Sequence, residues 1–164
     1  MIVTLTANPA LDRTITLAAP LAPGEVQAAT SSREDAGGKG INVARVIAAA
    51  SSPVVAVLPL ADDDPYRVPL EAAGVPTRAV PVARPVRANL ALTDQDGVTT
   101  KINLPGVALS ADDVAALTDA VVAASEGATW LVLAGSLPDA LADTFYVDVA
   151  RAVRRTRDRL SQQA

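Results

Sequence analysis

A chain of 164 residues, 50% hydrophobic and 20% charged, is long enough to bury one sizeable core and lacks the polarity of a disordered segment. Fourteen basic against eighteen acidic residues leave a net charge of -4, and no basic run occurs before residues 151–159, which argues against nucleic acid as a partner. The chain contains no cysteine and no histidine, which excludes disulfides, thiolate nucleophiles, Ser-His-Asp triads and the common zinc sites, so any acid–base chemistry must rest on carboxylates or lysine.

Only 2% of the residues are aromatic, so the core must be built from small aliphatic side chains, which favours α/β architecture. Residues 1–6 are apolar but too short for a signal peptide and lack a basic leading region. No run approaches membrane-spanning length, so the expected location is the cytoplasm, with no membrane partner.

In chain order, residues 2–6 are β-branched and apolar, with the turn signal Asn8-Pro9 behind them, and read as a buried strand. Residues 11–17 alternate apolar and polar, as a half-exposed strand does. The segment 35–40 places Gly37, Gly38 and Gly40 around Lys39, directly before a helix predicted over about 41–50. Residues 53–58 read as the next buried strand, 65–73 as a short helix ended by Gly74, and 77–80 as a short strand. Residues 86–103 form two alternating strands around Gln95-Asp96-Gly97, the clearest hairpin signal in the chain. Ser110 followed by Asp112 and Asp113 opens a helix to about residue 124, residues 130–134 read as a buried strand, and a last helix runs from about Asp143 into a basic tail. The predicted fold is one α/β domain over residues 1–164, with strands at about 11–17 and 86–103 forming a small β-sheet lid beside the core.

Glycine-freed amides, a helix N-terminus and a cation all attract an anion, so Gly38, Lys39 and the following Asn42 are candidates for holding a phosphorylated ligand. A structural turn before a helix would look the same. The loop is neither a Walker A motif, because Gly40 follows the lysine where Ser or Thr is required, nor a dinucleotide fingerprint. Asp12 sits just beyond the first strand, where open α/β sheets place ligand loops, and could accept two sugar hydroxyls or could simply cap a turn. Arg87 and Asn89 share one strand face, as do Lys101 and Asn103 on the partner strand, giving a polar surface suited to a phosphate and hydroxyls. Ser136 follows the strand at 130–134 and can face the same crevice as residues 8–12. The acidic run Asp62-Asp63-Asp64 reads as helix capping on a solvated loop and is assigned no metal site.

Taken in order, residues 4–15 (TLTANPALDRTI), 36–46 (AGGKGINVARV), 86–92 (VRANLAL), 96–106 (DGVTTKINLPG) and 132–139 (VLAGSLPD) resemble the PfkB-type, ribokinase-like carbohydrate kinases, and most closely the 1-phosphofructokinase and tagatose-6-phosphate kinase branch. The resemblance implies a doubly wound α/β core with a β-sheet lid that often supplies a homodimer contact. It also implies a sugar-phosphate substrate: Asp12 binding sugar hydroxyls, Gly38, Lys39 and Asn42 lining the pocket, Arg87 and Lys101 approaching the phosphate, and Asn89, Asn103 and Ser136 in supporting positions. Phosphorylation of fructose 1-phosphate by Mg-ATP is the expected reaction. The resemblance covers only the amino-terminal half of such an enzyme. The Gly-Ala-Gly-Asp motif, whose aspartate is the general base in the family, and most of the ATP site fall in the other half, so the 164 residues are expected to be a truncated form, inactive alone. The alternatives are a non-catalytic sugar-phosphate-binding or interaction fragment, or another sugar kinase of the superfamily.

Overall fold

In a computed structural model that describes residues 1–106, 108–138, 141 and 143–162, the elements run β1 (Ile2–Leu5), β2 (Ala10–Leu17), β3 (Ala29–Gly37), α1 (Lys39–Ala49), β4 (Val54–Leu60), α2 (Arg67–Ala72), β5 (Thr77–Pro81), β6 (Arg87–Thr93), β7 (Thr99–Asn103), α3 (Ala111–Ala124), β8 (Trp130–Leu133) and α4 (Phe145–Ser161). Asp139, the last residue of the sequence segment 132–139, lies outside the described residues.

β4 is apolar on both faces and β1 carries only the buried Thr4 as a polar residue, and such strands persist only when both faces are covered. They occupy the middle of a wholly parallel sheet of order β5-β4-β1-β8. Alternation along the strands divides the core in two. Val3, Leu5 and Val57 pack with Leu117 and Val121 of α3 and Val149 of α4, while Ala56, Leu58 and Leu60 pack with Ile41 and Ala44 of α1 and Leu70 of α2. The sheet is thus covered by two helices on each side. No helix among the described residues is long and apolar enough to cross a membrane.

A second sheet, ordered β3-β2-β6-β7, leaves this core at the carboxyl end of β1. β2 runs antiparallel to β3 and parallel to β6, and β6 and β7 form an antiparallel hairpin. Within the hairpin turn, the buried Asp94 carboxylate accepts from the backbone N–H groups of Asp96 and Val98, both at 3.0 Å, and Gly97 takes a φ of 81°.

Several elements differ from the sequence expectation. β3 carries no apolar alternation: its first six residues are exposed, and pairing with β2 rather than local pattern makes it a strand. The residues read as a glycine loop at 35–37 are therefore the end of β3, and α1 begins at Lys39. The strand at 130–134 is not buried but at a sheet edge, with Trp130 68% exposed and the next three residues half-buried. Asp64 is not solvated; it is 4% exposed, and its two carboxylate oxygens accept from the N–H groups of Tyr66 at 2.9 Å and Val86 at 2.7 Å. The capping expected of Ser110 is present as a reciprocal pair with Asp113.

α1 closes in a Schellman arrangement, with Ser51 N–H on the Ala48 carbonyl at 2.8 Å and Ser52 N–H on the Ile47 carbonyl at 3.1 Å. Ser51 sits in the left-handed region at φ 56°, a position glycine occupies without steric cost. Ser51→Gly is expected to raise stability by about 0.5–1 kcal/mol in urea unfolding, with an unchanged m-value.

Candidate functional site

Where β1 and β8 end, the chain leaves the parallel sheet, and the second sheet begins beside these ends. A cavity of about 270 Å³ lies at this junction, lined by Thr6 and Asn8 after β1, Asp12 on β2, Gly38, Lys39 and Asn42 at the start of α1, Arg87 and Asn89 on β6, and residues 134–136 after β8. This is the carboxyl-end crevice where open parallel sheets bind ligands.

Local sequence dictates the geometry. Gly38, the N-cap of α1, has a φ of 124°, and α1 lies so close to the end of β1 that a side-chain carbon on Gly40 would stand 2.5 Å from the Leu5 carbonyl oxygen. The start of the helix, with its free N–H groups and the Lys39 cation, is thereby pressed against the crevice. Residue 135 approaches from the opposite side; a carbon added to it would be 3.2 Å from Lys39 Cβ. Asn8 ties the β1 and β8 loops together, its Nδ2 donating to Ser136 Oγ at 3.2 Å and to the Leu137 carbonyl at 3.3 Å.

Asp12, Asn89 and Asn103 stand side by side in register across β2, β6 and β7, and Asn89 Nδ2 donates to Asp12 Oδ1 at 2.8 Å. Asp12 Oδ2 lies against Gly37, where an added side-chain carbon would stand 2.2 Å away. One guanidinium nitrogen of Arg87 donates to the Leu104 carbonyl at 3.2 Å, while its Nε, together with Asn89 Oδ1 and Thr6 Oγ1, is buried without a hydrogen-bond partner among the described residues.

A second, larger cavity of about 710 Å³ opens on the other side of Asp12, Asn42 and Asn89, which line both. It holds Lys101, Asn103, Arg33 and Arg45. Among the candidates, Asp12, Gly38, Lys39, Asn42, Arg87, Asn89 and Ser136 therefore meet in the inner cavity, whereas Lys101 and Asn103 line the outer one. Arg87 and Lys101 flank the Asp12–Asn89 pair rather than meeting in one cavity. Sequence reasoning missed Thr6 as a lining residue, and Asp64, Tyr66 and Tyr146 behind it.

The charge balance of the inner cavity is two cations, Lys39 and Arg87, against one carboxylate, Asp12. Such a site suits an anionic ligand that also carries hydroxyls. Among the described residues no group of three His, Cys, Asp or Glu is placed to hold a metal ion. The acidic run at 62–64 does not fit Mg²⁺, since Asp64 is spent on two backbone N–H groups and Asp62 pairs with Arg67 at 3.4 Å.

Comparison with known proteins agrees with this arrangement. Residues 5–161 match the model of the pfkB family carbohydrate kinases. The chain is 39% identical over 142 residues to a 1-phosphofructokinase of Xanthomonas campestris pv. campestris, covering 85% of this chain and 44% of that protein. It is 32% identical over 158 residues to an ATP-dependent 6-phosphofructokinase isozyme 2 of Mycobacterium tuberculosis, covering 94% of this chain and 46% of that protein. In structure it resembles phosphofructokinase-2 from Escherichia coli in complex with fructose-6-phosphate, with a TM-score of 0.83 and 27% identity over 94% of this chain and 51% of that one. The chain spans about half the length of the relatives it matches. A doubly wound core, a second sheet rooted at the carboxyl end of β1, and a family match across nearly the whole sequence place this chain in the pfkB family of carbohydrate kinases, with the ribokinase-like fold.

Proposed function

We propose that these residues form the sugar-phosphate side of a sugar-phosphate kinase and that the substrate is fructose 1-phosphate. The observation that carries this reading is the cavity beyond β1 and β8, where the Lys39 and Arg87 cations stand with the Asp12 carboxylate and its Asn89 partner. Asp12 accepts from sugar hydroxyls, with Asn89 fixing its carboxylate. Gly38, Lys39 and Asn42 line the pocket, Arg87 and Lys101 approach the phosphate from either side, and Asn103 and Ser136 support them.

The phosphoryl donor in this reading is Mg-ATP. Transfer requires a base and an anion hole, and the Gly-Ala-Gly-Asp motif that supplies them in the family does not occur in these 164 residues. In this reading the 164 residues supply the sugar-phosphate side of the reaction. The second sheet acts as the lid, and a second copy covers its apolar face, where Ile102 and Leu104 are 45% and 43% exposed.

Calorimetry on the 164-residue chain tests the reading. Fructose 1-phosphate is expected to bind more tightly than fructose 6-phosphate or tagatose 6-phosphate, and unphosphorylated fructose not measurably. Equal affinity for fructose and its phosphates, or no binding of any of them, sinks it. Arg87→Ala and Lys101→Ala should each weaken the phosphorylated sugar by about 10-fold, the size of a lost charge-assisted hydrogen bond of about 1.5 kcal/mol.

A further inference from the structure

Only two tyrosines occur in this aromatic-poor chain, and both hydroxyls end on backbone carbonyls of residues in or next to the walls of the inner cavity. Tyr66, fully buried before α2, donates to the Gly37 carbonyl at 2.7 Å. That carbonyl belongs to the peptide joining β3 to the N-cap of α1, one residue before Gly38 and two before Lys39. Tyr146, in the first turn of α4, donates to the Ala134 and Gly135 carbonyls, both at 3.2 Å, immediately before Ser136. Neither tyrosine lines the cavity.

We propose that Tyr66 and Tyr146 are positioning residues, which hold the Gly38–Lys39 and Gly135–Ser136 walls of the cavity at the separation a sugar phosphate requires. The proposal rests on the functional reading given above. A buried tyrosine needs some partner for its hydroxyl, and packing alone would accept any. Here the two sets of partners stand on either side of Lys39: the Gly37 peptide leads into it, and a carbon added to residue 135 would lie 3.2 Å from its Cβ.

Asp64 extends the Tyr66 device to the second sheet. One of its oxygens accepts from the Tyr66 N–H and the other from the Val86 N–H, the residue preceding Arg87. The short segment Asp64 to Tyr66 thus fixes two walls at once: the β3–α1 peptide through the hydroxyl and the start of β6 through the carboxylate. Burial pushes the Tyr66 hydroxyl far above its usual pKa, the Asp12 and Asp64 charges push it further, and Arg45 opposes them. The hydroxyl therefore stays a donor throughout the pH range in which the chain is handled. Burial also raises Tyr146.

The variants Tyr66→Phe and Tyr146→Phe keep the ring and its packing and delete only the hydroxyl. Their effect is read by calorimetry with fructose 1-phosphate and by amide hydrogen exchange, which needs no ligand. For Tyr66→Phe, the Asn42 amide, bonded to the Gly38 carbonyl at 2.9 Å, is expected to exchange at least 10-fold faster, with Leu117 and Val121 in α3 unchanged. Each variant is expected to weaken sugar-phosphate binding at least fivefold. Val121→Ala, a core variant on the far side of the sheet, should lower the unfolding temperature and leave affinity and Asn42 exchange as they were.

Exchange at Asn42 that is unchanged in Tyr66→Phe, or that rises only in step with α3, overturns the positioning role, as does unaltered affinity in both variants. If the parent chain binds none of the sugar phosphates, the functional reading fails by itself, and the exchange result still decides whether the tyrosine holds the loop.

Discussion

Asp12→Ala is expected to reduce affinity for fructose 1-phosphate by about 10- to 150-fold, the largest loss of any single change in the cavity. The estimate follows from the chemistry of a carboxylate that accepts hydroxyl protons, where a charged hydrogen bond contributes about 1.5–3 kcal/mol. Two further effects act in the same direction. Asn89 loses its partner at 2.8 Å while its own Oδ1 is already unsatisfied, so the variant leaves both ends of a buried amide unpaired. Asp12 also lines both cavities, so its removal merges them and lets water reach the ligand from the outer side. Asp12→Asn keeps the shape and one acceptor and should lie between the two. Titration calorimetry on parent and variants measures the series, and an Asp12→Ala affinity within threefold of the parent would refute the assignment of Asp12 to the sugar.

Gly40→Ala is the second change with a large expected effect, this time on stability. Alanine is ordinarily the better helix former, and at an exposed helical site the change would stabilise by about 1 kcal/mol. At Gly40 the added carbon meets the Leu5 carbonyl oxygen at 2.5 Å and Thr6 Oγ1 at 2.5 Å, and the carbonyl belongs to the central strand of the parallel sheet. The helix must withdraw from the sheet. A net cost of about 2–3 kcal/mol is expected, in the range of overpacked cores. Thermal unfolding should fall by roughly 4–12 °C, from about 2–4 °C per kcal/mol for a chain of this size. A variant as stable as the parent would show that α1 is not seated on β1 in this way. Because Lys39 and Asn42 move with the helix, ligand affinity should fall together with stability.

The parts of the fold that were legible in the sequence are those whose signal is local. The hairpin of β6 and β7 declares itself by alternation around Asp96-Gly97, and α3 by Ser110 and its first-turn acids. β4 is recognisable because an apolar run of that length has few other uses. β3 was invisible because Ser31, Ser32, Arg33 and Glu34 offer neither periodicity nor β-branched residues; its strand state is conferred by β2. β8 differs from expectation because an apolar run looks the same at the centre of a sheet and at an edge that stays half-exposed.

The candidate site divides along similar lines. Asp12, Gly38, Lys39 and Asn42 sit in short segments whose composition is unusual for a core, so they could be singled out. Asp64, Tyr66 and Tyr146 act through atoms that only the tertiary structure brings near the site, across 22, 29 and 11–12 residues of chain. No spacing within one element records such contacts. The separation of Arg87 and Lys101 into two cavities was likewise beyond pattern reading, since alternation fixes the face of a strand and not the position along it.

The parallel pairing of β2 with β6 joins residues 77 positions apart at Asp12 and Asn89, and every element from β3 to β5 lies in the intervening chain. Closing so long a loop is entropically unfavourable until the intervening segments are themselves compact. By the same reasoning β6 on β2, and β8 on β1 across the 128 positions from Ile2 to Trp130, are expected to join after β1, α1, β4, α2 and β5 have assembled. A binding crevice lined from both of these long-range pairings is expected to form late in refolding and to open early in unfolding. Ligand added during refolding would then slow the escape of finished molecules more than it speeds their arrival.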